Sequence, residues 1–124
     1  MRVVLVGICG SGKSTLARGL LARGYEVREC RQEHSGVPHM WQVISRPDVL
    51  VYLDASEDTL IRRGRRPYMP GWLEEQRQRL AHARGHCDLY VMTDELTPAQ
   101  VLEQVHGFLV NYAKQPNDLT DGPG

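Results

Sequence analysis

A single glycine-rich segment near the start of the chain constrains its fold more than any other feature. Residues 7–15 read GICGSGKST, a complete G-x-x-x-x-G-K-S pattern, and they follow directly after the apolar run VVLV at residues 3–6. Glycines at these spacings let the backbone wrap closely around a polyphosphate, and a helix that begins within the pattern adds the positive end of its dipole. The pattern therefore predicts a buried strand, a phosphate-binding loop and a helix, in that order.

The residue types in the loop predict how it binds a nucleoside triphosphate. The ammonium group of Lys13 is expected to reach the β and γ phosphates, and the hydroxyl of Ser14 is expected to hold Mg²⁺. The backbone N–H groups of residues 10–15 should surround the remaining phosphate oxygens. The loop residues predicted to bind nucleotide are Gly7, Gly10, Ser11, Gly12, Lys13, Ser14 and Thr15.

The size and charge of the chain limit the classes of protein to which it can belong. Its 124 residues suffice for one domain, which we assign to residues 1–114, and the polar segment 115–124, rich in proline and glycine, is predicted to be a disordered tail. Fifteen basic and fifteen acidic residues cancel, so the composition predicts no nucleic-acid or membrane partner. Three cysteines without C-x-x-C spacing, and the lack of a signal-like or membrane-spanning segment, favour a cytoplasmic location.

Hydrophobic periodicity and capping signals predict strands and helices in alternation along the chain. Ser56 is expected to cap one helix, and the sequence TPAQ at residues 97–100 is typical of a capping box. Gly85 is expected to end a helix, which would keep His82 and His86 off a common face and argues against a zinc site there. Strands are predicted at residues 2–6, 25–30, 49–53 and 89–92, and helices at 13–23, 37–47, 56–63, 72–84 and from 98 onward.

This alternation predicts a three-layer α/β fold in which a small, mainly parallel sheet of about four strands is flanked by helices. In such sheets the ligand lies at the carboxyl ends of the strands. The phosphate loop, the residues after Glu29, Asp54 and the turn near Thr93 are therefore expected to gather at one rim of the sheet.

Three stretches together resemble the P-loop kinases of nucleosides and nucleoside monophosphates. They are GICGSGKST, RPDVLVYLDASEDTLIRRGRR and CDLYVMTDELTPAQVLEQV, which cover about half of the chain. In that family the middle stretch carries an arginine-bearing lid over the phosphates, and the last stretch supplies a turn beside the base. The resemblance implies ATP as the default nucleotide and assigns lid roles to Arg62, Arg63, Arg65 and Arg66, and positions near the base to Thr93 and Asp94.

The second of these stretches contributes two candidate catalytic arginines. Phosphoryl transfer requires positive charge around the γ-phosphoryl group as it departs, and Arg62 and Arg66 are suited to supply that charge. A run of arginines at a helix end is also typical of a solvated surface. The phosphate loop earlier in the chain favours the catalytic interpretation.

The chain departs from the kinase pattern between its second and third predicted strands. Those kinases usually have an acceptor-binding insertion and a further core strand there, whereas this chain has only residues 31–48. The strand at residues 25–30 would then have to lie beside the phosphate-loop strand. Glu29 or Glu33 could take over the role of the missing acid, by holding Mg²⁺ through water or by orienting the attacking group. Asp54, which follows an apolar strand as a Walker B aspartate does, is the alternative.

Three functions fit these features. The first is a Mg²⁺-dependent nucleoside triphosphatase on a reduced kinase core, because the triphosphate-binding end is complete and the acceptor-binding insertion is absent. The second is a small-molecule or nucleotide kinase, and the third is a non-catalytic nucleotide-binding module. A homo-oligomer is possible for each of them, and the sequence favours none of the oligomeric states.

Overall fold

A computed structural model of the chain describes residues 1–32, 35–37, 39–42, 47–64 and 71–114. The strands are β1 (Arg2–Gly7), β2 (Glu26–Glu29), β3 (Val49–Asp54) and β4 (Leu89–Met92). The helices are α1 (Lys13–Ala22), α2 (Glu57–Arg62), α3 (Trp72–His86) and α4 (Pro98–Lys114). Residues 38 and 43–46 of the short helix predicted near residues 37–47 lie outside the described residues, and the predicted tail lies entirely outside them.

The four described strands form one sheet in the order β2-β1-β3-β4, and every pair is parallel. Helices cover both faces, so the predicted α/β architecture is confirmed. Glu29 pairs in register with Leu5, and the strand at residues 26–29 does lie beside the phosphate-loop strand. This arrangement brings the carboxyl end of β2 directly alongside the start of the phosphate loop.

Two apolar clusters, one on each face of the sheet, hold the layers together. Side chains alternate along β1, so Val3 and Leu5 pack with α1 and α4, whereas Val4 and Val6 pack with α3 and Trp41. All four of these β1 residues are fully buried. The uninterrupted apolar run at residues 3–6 is therefore explained by burial on both faces of the sheet, as is usual for parallel sheets.

The helix starts follow the capping signals in the sequence. The Ser56 hydroxyl accepts a hydrogen bond from the Thr59 N–H at 3.3 Å. At the start of α4, the Gln100 N–H donates to the Thr97 hydroxyl at 3.1 Å, and the Thr97 N–H donates to the Gln100 side chain at 2.8 Å. Both signals therefore mark helix starts as predicted.

The prediction that Gly85 ends a helix is wrong, because α3 continues to His86. Glycine costs about 1 kcal/mol relative to alanine within a helix. Leu80 and Ala83 bury the inner side of the same helix, and the His86 ring lies 2.8 Å from the His82 carbonyl and so ties down the last turn. Tertiary packing thus outweighs the local propensity. Among the described helices, none combines the length and apolar character needed to cross a membrane.

Candidate functional site

The phosphate loop joins β1 to α1, and its glycines adopt backbone conformations that other residues rarely reach. Gly10 and Gly12 have φ angles of 93° and 107°. Gly7 has a φ of 154°, and a Cβ atom there would lie 2.2 Å from the carbonyl oxygen of Leu53 on the neighbouring strand. The close approach of β3 therefore requires glycine at position 7, and the turns of the loop favour glycine at positions 10 and 12.

Lys13 lies at the first position of α1 with its side chain folded back over the loop. Its ammonium group donates to the carbonyl oxygen of Gly7 at 2.6 Å, and the residue is buried. The Ser11 N–H donates to the Ile8 carbonyl at 2.9 Å, so this amide closes a turn within the loop. The amides at the start of α1 lack acceptors within their own helix, which is the usual basis of anion binding at a helix start.

Glu29 lies next to the predicted magnesium ligand. The hydroxyl of Ser14, in the first turn of α1, donates to a carboxylate oxygen of Glu29 at 2.8 Å. Both residues line the same cavity. The contact follows from the topology, because α1 leads directly from β1 to the adjacent strand β2.

A cavity of about 650 Å³ opens above the loop, a size typical of small-molecule sites. Several residues that line this cavity are not among the site residues predicted from the sequence. The cation of Arg31 lines the side near β2, and apolar side chains line the side near α4, namely Leu96, Pro98 and Val101. Leu96 lies in the turn after the fourth predicted strand and Pro98 in the capping box that follows, and these two positions are the sequence signals for that wall.

Arg63 and Thr93 line the cavity and also contact the backbone of the phosphate loop. The Arg63 guanidinium donates to the Gly10 carbonyl at 3.1 Å and to the Thr93 carbonyl at 3.0 Å. Thr93 is buried, and its hydroxyl lies 3.3 Å from the Ser11 carbonyl and 3.0 Å from that of Asp54. The end of α2 and the end of β4 are thereby both connected to the phosphate loop.

The buried carboxylate of Asp54 does not line the cavity and belongs to a partly buried polar network on the α3 side of the sheet. Its carboxylate accepts hydrogen bonds from Arg77 at 3.1 Å, from the Tyr90 hydroxyl at 2.5 Å and from the Ala55 N–H at 2.8 Å. Burial, reinforced by the hydrogen bond to Asp54, raises the pKa of Tyr90 to about 12. The structure brings Glu29, and not Asp54, to the phosphate loop.

Two of the remaining candidate residues make contacts outside the cavity, and three lie outside the described residues. Arg62 donates to the Thr59 hydroxyl at 3.0 Å and does not line the cavity. Asp94 accepts a hydrogen bond from the Ser56 N–H at 2.8 Å, which lowers the pKa of its carboxyl, and it too is outside the cavity lining. Glu33, Arg65 and Arg66 lie outside the described residues.

His82 and His86 do share one face of α3, and their rings stack with centroids 4.3 Å apart. The Trp41 indole N–H donates to Nδ1 of His82 at 3.1 Å, so a neutral His82 carries its proton on Nε2. A ring nitrogen that bears a proton cannot bind a metal. In the part of the chain that the structure describes, no group of three or more histidine, cysteine or acidic side chains could hold a metal ion.

A parallel sheet with the order 2-1-3-4 and a G-x-x-x-x-G-K-S loop between β1 and α1 defines the class: the chain has the P-loop kinase fold. Solved structures with the same fold include two kinases. One is an unliganded sugar kinase from Janibacter sp. HTCC2649, with 17% identity, a TM-score of 0.58, and coverage of 88% of this chain and 94% of that one. The other is shikimate kinase from Aquifex aeolicus, with 16% identity, a TM-score of 0.59, and coverage of 92% and 99%. No protein-family model matches the chain, and no curated protein matches it in sequence.

Proposed function

We propose that this chain is a Mg²⁺-dependent phosphotransferase that moves the γ-phosphoryl group of ATP to a hydroxyl group of a small molecule. The observation that supports this proposal is the 2.8 Å contact between Ser14 and Glu29 at the mouth of the phosphate loop. It provides a hydroxyl and a carboxylate, side by side, where the terminal phosphate of a nucleotide in the loop would lie.

The residues around the cavity suit the separate parts of such a substrate. Lys13 would neutralise charge on the β and γ phosphates when its ammonium group leaves the Gly7 carbonyl. Glu29 would orient the attacking hydroxyl and accept its proton. The apolar wall formed by Leu96, Pro98 and Val101 would contact the base.

The donor set at this position fits Mg²⁺. The ion prefers oxygen ligands, and it usually keeps several waters and uses only one or two carboxylates together with substrate phosphates. Ser14 would hold it directly and Glu29 through a water molecule, which leaves the Glu29 carboxylate able to accept a proton. When bound, the ion would neutralise charge on the phosphate oxygens during transfer.

Transfer is preferred to hydrolysis because the sugar kinase and shikimate kinase structures to which the chain is similar are kinases by name. Hydrolysis is the second candidate. The interval between β2 and β3 is only nineteen residues long, which leaves little chain for a separate acceptor-binding element. In a hydrolase, Glu29 would orient a water molecule in place of the acceptor hydroxyl.

The test is product analysis with Mg²⁺-ATP, with and without a panel of sugars, hydroxy acids and nucleoside monophosphates. A phosphorylated acceptor identified by mass spectrometry would support transfer, and release of phosphate alone would support hydrolysis. Tight ATP binding with neither product would instead support a non-catalytic module. Lys13→Ala should abolish activity in either catalytic case, and activity equal to that of the wild type would contradict the site.

Glu29→Gln keeps a hydrogen-bond partner for Ser14 but removes the carboxylate. If Glu29 acts as a general base, we expect kcat to fall by about 10²- to 10⁴-fold with a much smaller change in KM for ATP. The matched control is Glu26→Gln on the same strand, where the side chain is exposed and pairs with Arg2 at 2.8 Å. A similar small effect of both variants on kcat would exclude Glu29 from the chemical step.

A further inference from the structure

Three side chains from outside the G-x-x-x-x-G-K-S pattern contact the backbone of three consecutive loop residues. The side-chain oxygen of Gln76 on α3 accepts a hydrogen bond from the Cys9 N–H at 3.1 Å. Arg63 donates to the Gly10 carbonyl at 3.1 Å, and the Thr93 hydroxyl lies 3.3 Å from the Ser11 carbonyl. The loop is thus held from α3, from the residue after α2 and from the residue after β4.

These contacts matter because this part of the loop has little conformational preference of its own. Gly10 and Gly12 flank Ser11, and glycine loses more backbone freedom on ordering than any other residue. The peptide plane is rigid, so an anchored N–H or carbonyl group also fixes the direction of the group on the opposite side of the same plane. External anchors at residues 9–11 therefore restrict the loop to one backbone geometry before any ligand binds.

Gln76 differs from the other two anchors in chemistry and in setting. It is an uncharged amide that is 8% exposed, and no sequence motif includes it. Its helix is fixed to the sheet through Leu80 and Ala83, both fully buried, so the amide group projects from a rigid support. A neutral acceptor holds the Cys9 N–H without adding negative charge beside the phosphates.

We propose that Gln76 is a positioning residue that holds the phosphate loop in its polyphosphate-binding geometry through the Cys9 N–H. This inference rests on the proposed function for its ligand, a triphosphate. Gln76 acts through the loop backbone and does not contact the reacting atoms. Its contribution is pre-organisation, which lowers the ordering cost that ligand binding would otherwise carry.

The proposal predicts a specific kinetic pattern for Gln76→Leu. The loss of one hydrogen bond to the loop should weaken binding of Mg²⁺-ATP by about tenfold. The loop contacts the phosphates in the ground state and in the transition state alike, so KM should rise while kcat changes by less than about twofold. A residue that acts in the chemical step would instead lower kcat.

The experiment compares Gln76→Leu with Gln78→Leu, which makes the same change at an exposed position on the same helix. Calorimetry with Mg²⁺-ATP and with inorganic tripolyphosphate measures the loss at the phosphate end. Hydrogen exchange on the ligand-free protein measures protection of the amides of residues 9–11. We expect weaker binding of both ligands and faster exchange at these amides in Gln76→Leu alone. Gln76→Asn, which keeps an amide but is one methylene shorter, replaces Gln76→Leu if the leucine variant does not fold.

Equal affinities in the Gln76 and Gln78 variants would overturn the proposal, and so would a loss confined to kcat. A wild-type protein that binds neither polyphosphate would contradict the proposed function itself. In that case the exchange measurement alone decides the anchoring, because it uses no ligand: unchanged exchange at residues 9–11 in the Gln76 variants would overturn the anchor as well.

Discussion

Asp54 allows a direct test of whether an acid at the end of a core strand acts in catalysis or in stability. Its carboxylate is 1% exposed and accepts hydrogen bonds from Arg77, the Tyr90 hydroxyl and the Ala55 N–H. Asp54→Asn preserves the shape of the side chain but removes its charge. The amide NH₂ group would then have to face one of the donors that now point at the carboxylate.

The size of the effect follows from these contacts. Hydrogen bonds to a charged group contribute about 1.5–3 kcal/mol, whereas neutral ones contribute about 0.5–1.5 kcal/mol. Weakening the contacts with Arg77 and Tyr90 should therefore cost about 2–3 kcal/mol. The larger penalty of a broken buried ion pair does not apply, because the Arg77 side chain is 36% exposed and water can solvate it. For a chain of this length the loss corresponds to a decrease in Tm of about 10 °C.

The assay is urea and thermal unfolding of Asp54→Asn beside Asp58→Asn, a matched change at an exposed position of α2. The control should change Tm by no more than about 2 °C. Calorimetry below the unfolding transition should give an affinity for Mg²⁺-ATP close to that of the wild type, because Asp54 does not line the cavity. Unchanged stability with lost turnover would refute this reasoning and make Asp54 a catalytic acid.

Two further substitutions test the loop and the histidine cluster. Gly7→Ala should destabilise the chain by about 3 kcal/mol or more, because its Cβ would lie 2.2 Å from the backbone oxygen of Leu53. The control Gly107→Ala, on an open face of α4, should stabilise the chain by about 0.5–1 kcal/mol. Urea unfolding measures both changes, and a Gly7→Ala variant as stable as the wild type would contradict the described loop. Burial, and then the charges of two neighbouring imidazoles, lower the pKa of His82. Its unfolded form therefore binds protons more readily, so this contribution to stability should be complete above the unfolded pKa of about 6.5 and be lost as the pH falls from there through the lower folded pKa. Trp41 fluorescence during unfolding, in a Trp72→Phe background, measures this pH dependence of stability. If His82→Gln shows the same pH dependence, the effect belongs to other titratable groups.

Most of the fold could be predicted from local signals. The phosphate-loop pattern, the apolar strands and the capping residues Ser56 and Thr97 each act over a few residues, so the sequence shows them directly. The position of β2 beside β1 followed from the short interval before β3. The continuation of α3 through Gly85 to His86 could not be predicted, because packing of Leu80 against distant strands stabilises this helix.

The candidate site was predictable only where a motif marks it. Gln76 belongs to no motif, and its contact with Cys9 spans 67 positions of sequence. The hydrogen bonds that Asp54 accepts from Arg77 and Tyr90 likewise join residues that are 23 and 36 positions apart in the sequence. The roles of Gln76 and Asp54 depend on tertiary contacts between the sheet and its helices, so they can be recognised only in the folded structure.

The choice between Glu29 and Asp54 shows how topology assigns a role that residue type leaves open. Both are acidic and both end strands that pair with β1. The crossover from β1 through α1 to β2 brings the first turn of α1 toward the β2 side, and Ser14 accordingly meets Glu29. On the other side of β1, the end of β3 faces α3, and Asp54 accordingly meets Arg77. Because the Asp54 carboxylate is already engaged on that side of the sheet, it should be unable to replace Glu29, and a Glu29→Ala variant should retain no turnover that depends on Asp54.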